Sequence, residues 1–456
     1  MDNNSTKKFV LIAATLASFL TPFIGSSINI ALPSIGKEFN IDVVLLSWIT
    51  TSYILSAAVF LVPFGRIADI YGRKKIFLYG IFIFTLSSLL CAVSNSAFTL
   101  IYSRILQGIG SSMIYSTGVA ILTSVFPVGK RGKVLGINVA ATYLGLSLGP
   151  FLGGFLTQYL GWRSIFLSIL PVGLVIIIFT FWKLKGEWAE AEGEKFDFIG
   201  FSIYGIALST LIYGFSLLPG KAGIVLILIG VSGILLFVKW EMETESPVLN
   251  MYLFKNNITF TFSNLAALIN YSATFAVSFL LSLYLQYIKN FNPKTAGLIL
   301  VSQPAVQALF SPFAGKLSDR IEPRIVASLG MALTTMGLFL LIFLNERSTL
   351  GFLIASLFIL GFGFALFSSP NTNAIMSSVD KKFYGIASGT LGTMRLMGQS
   401  LSMGIAMLIF AIFIGRTQII PEHHYLFLKS TKINFLIFSS LCFIGIFASI
   451  ARGKVR

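Results

Sequence analysis

The sequence predicts an all-α membrane protein of 14 transmembrane helices, built as two six-helix bundles with a two-helix insertion between them. Three observations predict this. Over its 456 residues the chain is 55% hydrophobic and only 11% charged, whereas soluble domains carry about 25% charged residues. Its apolar stretches run to about 17 to 25 residues, the length that carries a helix across hydrocarbon. Lipid offers the backbone no hydrogen-bond partner, so such stretches must bond internally as helices.

The spans are expected at about residues 9–30, 45–64, 76–95, 98–122, 134–157, 164–182, 198–217, 223–239, 258–287, 296–314, 325–344, 350–373, 386–414 and 433–451. Lys7 and Lys8 precede an apolar run without a small-residue cleavage pattern, so that run reads as the first helix rather than a removed leader. Residues 1–183 form the expected N-terminal bundle. Residues 184–257 form a charged linker with two inserted helices, and 258–456 the C-terminal bundle.

Charge gives the orientation. With the N-terminus in the cytoplasm, the cytoplasmic segments carry 22 of the 33 lysines and arginines, the opposite loops 9 and the spans 2. That is the positive-inside pattern, and it places both termini in the cytoplasm of a multi-pass protein of the cell membrane. The same distribution explains the net charge of +16 without a nucleic-acid partner, because the basic residues are spread over short loops. The expected partners are the bilayer and a small-molecule substrate. The two cysteines, Cys91 and Cys442, lie in separate apolar runs, and His423–His424 in a polar loop. Neither pattern supports a metal, a cofactor or a disulfide framework. No nucleophile with an acid–base partner emerges, so an enzyme is not expected.

The chain repeats itself: GRIADIYGRKK at 65–75 returns as GKLSDRIEPRI at 315–325, each after the second helix of a six-helix group. Duplication with a site between the repeats is how many secondary carriers are built. Gly65, Asp69, Gly72, Arg73 and Lys74, with Asp319 and Arg320 in the second copy, are candidate gating residues. A carboxylate near a helix end facing guanidinium groups makes a latch that can hold the two halves together on the cytoplasmic side and break when they rock apart. This loop resembles the cytoplasmic motif of the major facilitator superfamily.

Further along, Arg104 lies about 9 Å inside the fourth span. A charge there must face protein or a wet cavity. With Gln107 and Gly108 it resembles the superfamily's membrane-embedded arginine motif. Gly145, Gly149 and Gly153 share one face of the fifth span, next to Pro150. Small residues allow close helix approach and proline permits a bend; the run is similar to the glycine–proline motif of antiporter branches. Asn29–Pro33, Trp48–Ile54, Gly161–Trp162–Arg163 and Asp197 add matches to the 14-helix drug-antiporter branch. Tyr284–Gln286, Ser369–Asn371 and Arg395 with Gly398 add looser ones. The resemblance implies alternating access. That branch holds mainly drug exporters and also vitamin carriers, riboflavin uptake proteins among them.

One departure matters. Drug exporters of the branch carry acidic residues in their helices, often near the first-helix motif, where this chain has Ile24. All 17 acidic residues fall in loops or at span ends, leaving Arg104 and Arg395 as the expected deep ionisable groups. Arginine stays protonated, and a buried cation wants a counter-charge. The interior is therefore expected to favour a neutral or anionic solute. The candidate substrate-binding or coupling residues are Asn29, Tyr53, Arg104, Gln107, Tyr143, Asn270, Gln303, Gln307, Asn371, Asn373 and Arg395, with Asn138, Asn264, Tyr271 and Gln399 as further polar side chains. Gln303 and Gln307 are four apart and share a helix face. Amides, phenols and abundant Phe suit a planar, hydrogen-bonding aromatic such as riboflavin. Proton-coupled multidrug efflux is the alternative.

Overall fold

The computed structural model describes residues 3–126, 128–184, 186–189, 191, 193–244, 247, 249, 251–380 and 384–453. The side chain of Asp319 lies outside this description. Among the described residues there is no strand, and 14 helices are long and apolar enough to cross a membrane. In chain order they are α1 (Lys7–Phe39), α2 (Val43–Tyr71), α3 (Arg73–Ala92), α4 (Ala97–Val125), α5 (Val134–Leu160), α6 (Arg163–Trp182), α7 (Phe198–Ser216), α8 (Lys221–Glu243), α9 (Ile258–Ile288), α10 (Pro293–Ser318), α11 (Pro323–Leu341), α12 (Leu350–Ser377), α13 (Ile386–Phe413) and α14 (Pro421–Ala451). An even number of spans puts both chain ends on one face, called here the terminal face; the other is the far face.

Helix starts follow local chemistry. Asp42 caps α2 by accepting from the Leu45 amide at 2.8 Å, and Asp197 caps α7 through Gly200 at 2.8 Å. Both carboxylates therefore sit at helix ends, where the backbone amides are unsatisfied. The first helix outruns its apolar stretch, which was expected to end near residue 30. It continues to Phe39 because Glu38 is anchored: Trp162 Nε1 donates to it at 2.7 Å and Arg163 Nη1 at 2.9 Å. Tertiary contact here overrides hydropathy.

Packing relies on small residues. Gly80 on α3 faces Gly110 on α4, and 250 positions later Gly330 on α11 faces Gly363 on α12. A side chain at any of these would press on the partner's backbone, so the glycines set helix separation. Tyr204 of the inserted α7 donates to Ala58 O of α2 at 3.0 Å, while its Phe215 and Ile212 lie against Gly404 of α13. The insertion thus touches both six-helix groups. Three spans are interrupted: α6 at Ser168, α9 at Phe275 and α10 at Val301. At the α9 break Ser402 Oγ of α13 accepts from the Ala276 amide at 3.0 Å, which satisfies a donor that lipid could not.

Candidate functional site

The chemistry gathers along the middle of the molecule, where two arginines are linked by tyrosines. Arg104 of α4 is fully buried. Its Nε donates to Ile49 O at 3.1 Å, its Nη1 donates to Gln107 Oε1, and its guanidinium lies 4.1 Å from the centre of the Tyr53 ring. Gln107 passes the bond on to Ser88 Oγ at 2.7 Å, and Tyr53 Oη donates to Ser111 Oγ at 2.9 Å. Arg104 therefore ties α4 to α2 and α3, and does not snorkel to a surface. Every described partner is neutral, and cation–π attraction supplies part of what a carboxylate would.

Arg395 of α13 is only partly buried. Its guanidinium lies 5.0 Å from the Tyr271 ring centre and also interacts with Tyr143 and Tyr115. Tyr271 is held edge-on against Phe364 at 5.4 Å. Tyr143 Oη lies 3.5 Å from Ser368 Oγ, a contact between the two six-helix groups. Tyr115 lies within electrostatic reach of both Tyr53 and Arg395, so the line Arg104–Tyr53–Tyr115–Arg395 crosses the seam. Among the described residues, Arg395 Nε and Arg104 Nη2 are buried with no hydrogen-bond partner, as are both amide atoms of Asn270, the residue before Tyr271. Buried donors and acceptors are nearly always paired, so these atoms are free to take a polar partner.

Charge at this centre is one-sided. Glu38, Asp42, Asp69, Asp197 and Glu241 all lie at helix ends. Among the described residues no carboxylate approaches the tyrosine cluster, and no group of three metal-ligating side chains exists.

The far face is where the groups close on one another. Ser282 Oγ donates to Asn29 O at 2.6 Å, Gln286 Nε2 to Ile30 O at 2.9 Å, and the Val43 amide to Thr417 O at 3.2 Å. Asn29 Oδ1 also accepts from Thr50 at 3.2 Å. The glycine face of α5 does two jobs. Gly145, Gly149 and Gly153 seat α1, with Ser27 Oγ donating to Gly149 O at 2.9 Å. Next to them Gly154 lies against Pro293 O, and Gly297 of α10 against Pro150 O. These glycine contacts join the two groups backbone to backbone.

At the terminal face the loop of the expected latch bonds as follows in this state. Asp69 accepts from Arg73 Nε at 2.8 Å, and Arg73 Nη1 donates to Ser124 Oγ at 2.9 Å. The segment after α6 docks on this loop. The Lys74 amide donates to Glu187 Oε1 at 2.7 Å, the Arg73 amide to Trp188 O at 2.9 Å, and the Ala191 amide to Asp69 O at 2.9 Å; Arg66 pairs with Glu194. Every described partner of the loop thus belongs to the first group or the linker. Gly65 packs near Ser116, and Arg320 of the second copy is exposed. Gly72 sits at φ +114°, and a Cβ there would overlap the Glu187 side chain. Gly72→Ala is expected to strain this turn by about 1–3 kcal/mol and release the linker. Faster amide hydrogen exchange at 186–189 and slower transport would show it.

Several candidate binding residues are bonded within the protein in this state. Asn371 accepts from Arg452 Nη1 at 2.8 Å and donates to Ser263 O at 3.1 Å. Asn373 Nδ2 donates to Ser318 Oγ at 3.0 Å near the terminal face. Gln307 is buried and Gln303 half-buried, without a described side-chain hydrogen bond. Outside the spans, Arg452 is a further buried cation: it is fully buried just beyond α14, knotting α9, α12 and α14 through Ser263, Asn371 and Ser449. Burial pulls its guanidinium down to about 10, so it remains a cation at neutral pH.

A family model described as Major Facilitator Superfamily matches residues 14–240 and 264–453. The chain belongs to this superfamily. Among curated relatives it is 31% identical over 447 residues to the riboflavin transporter RibZ of Clostridioides difficile, covering 97% of each chain. It is 29% identical to the multidrug resistance protein Stp of Mycobacterium tuberculosis, over 91% of this chain and 78% of that one. A crystal structure of a bacterial homolog of the human lysosomal transporter Spinster shares the fold at a TM-score of 0.68 and 17% identity, over 98% of this chain and 97% of that one. Within the superfamily fold, the centre described above lies where the two six-helix groups meet. Tyr115, Gly154, Gly297, Arg452 and the docked linker were not among the expected site residues. Only Gly154, directly after Gly153 in the glycine–proline run, carried a signal that sequence could show.

Proposed function

We propose that this protein is a carrier, not an enzyme, that moves a neutral or anionic small organic solute across the cell membrane by alternating access. The two six-helix groups, residues 1–183 and 258–456, rock against each other, and the terminal face is cytoplasmic. The solute is planar and aromatic, of riboflavin's kind, and transport is uptake. The observation that carries the reading is the Arg104–Tyr53–Tyr115–Arg395 path, cationic and phenolic, with no described carboxylate at its centre. The likeness to a riboflavin transporter along almost the whole chain supports it. The interlocked far face supports a state closed on that side.

Purified protein in liposomes should accumulate radiolabelled riboflavin, and failure to do so with active protein would reject this solute. The initial rate should change by less than about twofold between pH 6 and 8, because the centre holds no histidine and no described carboxylate. A steep rise or fall across that window would reveal a titrating group at work. The likeness to Stp favours drug efflux as the second reading; that reading requires cationic dyes to be extruded.

A further inference from the structure

At the far face lies a cavity of about 330 Å³, separate from the tyrosine centre. It sits directly above the closed contact between the groups, and both contribute walls. Lys37, Ile41 and Val43 come from the end of α1, the turn after it and the start of α2, and Gln286, Tyr287 and Phe291 from the end of α9 and the turn after it. The volume falls in the range of small-molecule sites, and so does the mixture of apolar walls with a few polar groups.

The cavity is built by the internal repeat. Asn40 and Asn290, 250 positions apart, are the only non-glycine residues with positive φ among those described, and both sit at 54°. Each ends the first helix of its group in a left-handed cap. The next amide closes the turn: Ile41 N donates to Gly36 O at 3.3 Å and Phe291 N to Leu285 O at 2.9 Å. The residue after that caps the following helix, Asp42 through Leu45 and Asn292 through Thr295, each at 2.8 Å. Two matching turns thus deliver Ile41 and Phe291 to the same cavity from opposite groups. A ligand here would bridge the two halves.

The lining has a definite chemistry. Tyr287 and Phe291 offer ring faces and edges. Lys37 is an exposed ammonium with no hydrogen bond or ion pair among the described residues. Gln286 has its amide nitrogen committed to Ile30 O and Ser282 Oγ, so its amide oxygen is the group left to accept. No carboxylate lines the cavity. This is the charge character of the tyrosine centre repeated nearer the surface: ring faces, amide groups and a cation.

We infer that this cavity is a second solute site, a vestibule that holds a planar aromatic molecule bearing carbonyl or anionic oxygens before the far face opens. The inference rests on the proposed uptake reading, because it takes the same solute class and has it arrive from the far side. Lys37 donates to the solute's oxygens, Phe291 and Tyr287 pack against its ring, and occupancy steadies the closed far face.

Riboflavin fluorescence titrated against the purified full chain tests this. Two sites are expected, a tight one and a weak one. Lys37→Gln should weaken the weak site at least tenfold and leave the tight one within twofold. Phe291→Ala should do the same, while Tyr271→Ala should affect the tight site. Lys37→Gln changes only an exposed side chain, so folding does not confound the result. A single site, or a weak site indifferent to both far-face variants, overturns the vestibule and leaves the uptake reading intact. Absence of riboflavin binding at either site overturns both.

Discussion

Arg395→Gln is expected to abolish high-affinity solute binding while the protein still folds. Arg395 is only partly buried, and its guanidinium rests among phenols. A hydrogen bond to a charged group contributes about 1.5–3 kcal/mol, so affinity should fall by roughly 10- to 150-fold. Arg104→Gln should behave in the opposite way. That side chain is fully buried and bonded to Ile49 O and Gln107 while stacking on Tyr53. Its loss should appear first as a lowered unfolding temperature. Binding and thermal unfolding of the two purified variants check the pair. Equal losses of affinity with unchanged stability in both would remove the distinction drawn between them.

Gly297→Val is expected to hold the far face open. A Cβ at Gly297 would overlap the Pro150 carbonyl oxygen and approach Gly154 Cα at 3.4 Å, and backbone cannot move aside as a flexible side chain can. Overpacking a close contact costs about 1–3 kcal/mol, and each 1.4 kcal/mol shifts a two-state equilibrium tenfold. Uptake should fall by about tenfold or more. The readout is a cysteine placed at Tyr143 and a membrane-impermeant thiol reagent added from the far side. Cys91 and Cys442 are fully buried and contribute little background. The Gly297→Val protein should label and the parent should not; protection in both would mean that this contact does not control closure.

Much of the architecture was legible because lipid makes its demands on composition. The spans, their number and the repeat at Gly65 and Gly315 follow from hydropathy and residue identity alone. The matching turns at Asn40 and Asn290 were hidden, since Ile41 and Val43 share a conformation with Phe291 and Pro293 but not an identity. The burial of Arg452 was hidden, because it depends on Ser263 and Asn371 arriving from two distant helices. The docking of Glu187 and Trp188 on the Asp69–Arg73 loop was equally silent, as a charged linker without tertiary contacts reads as solvent-exposed. At the centre, Arg104, Arg395, Tyr53 and Tyr143 were visible as polar residues inside apolar runs. Tyr115, which completes the path between the arginines, looked like one aromatic among many.

The measurement that bears most directly on the interior's charge is competition between riboflavin and ethidium, a permanent planar cation, for the purified protein. A cation about 6 Å from Arg395 at an effective dielectric near 20 is repelled by roughly 3 kcal/mol. Ethidium should therefore bind at least about a hundredfold more weakly than riboflavin. Ethidium binding as tight as riboflavin, at a site abolished by Tyr271→Ala, would contradict a centre without negative charge.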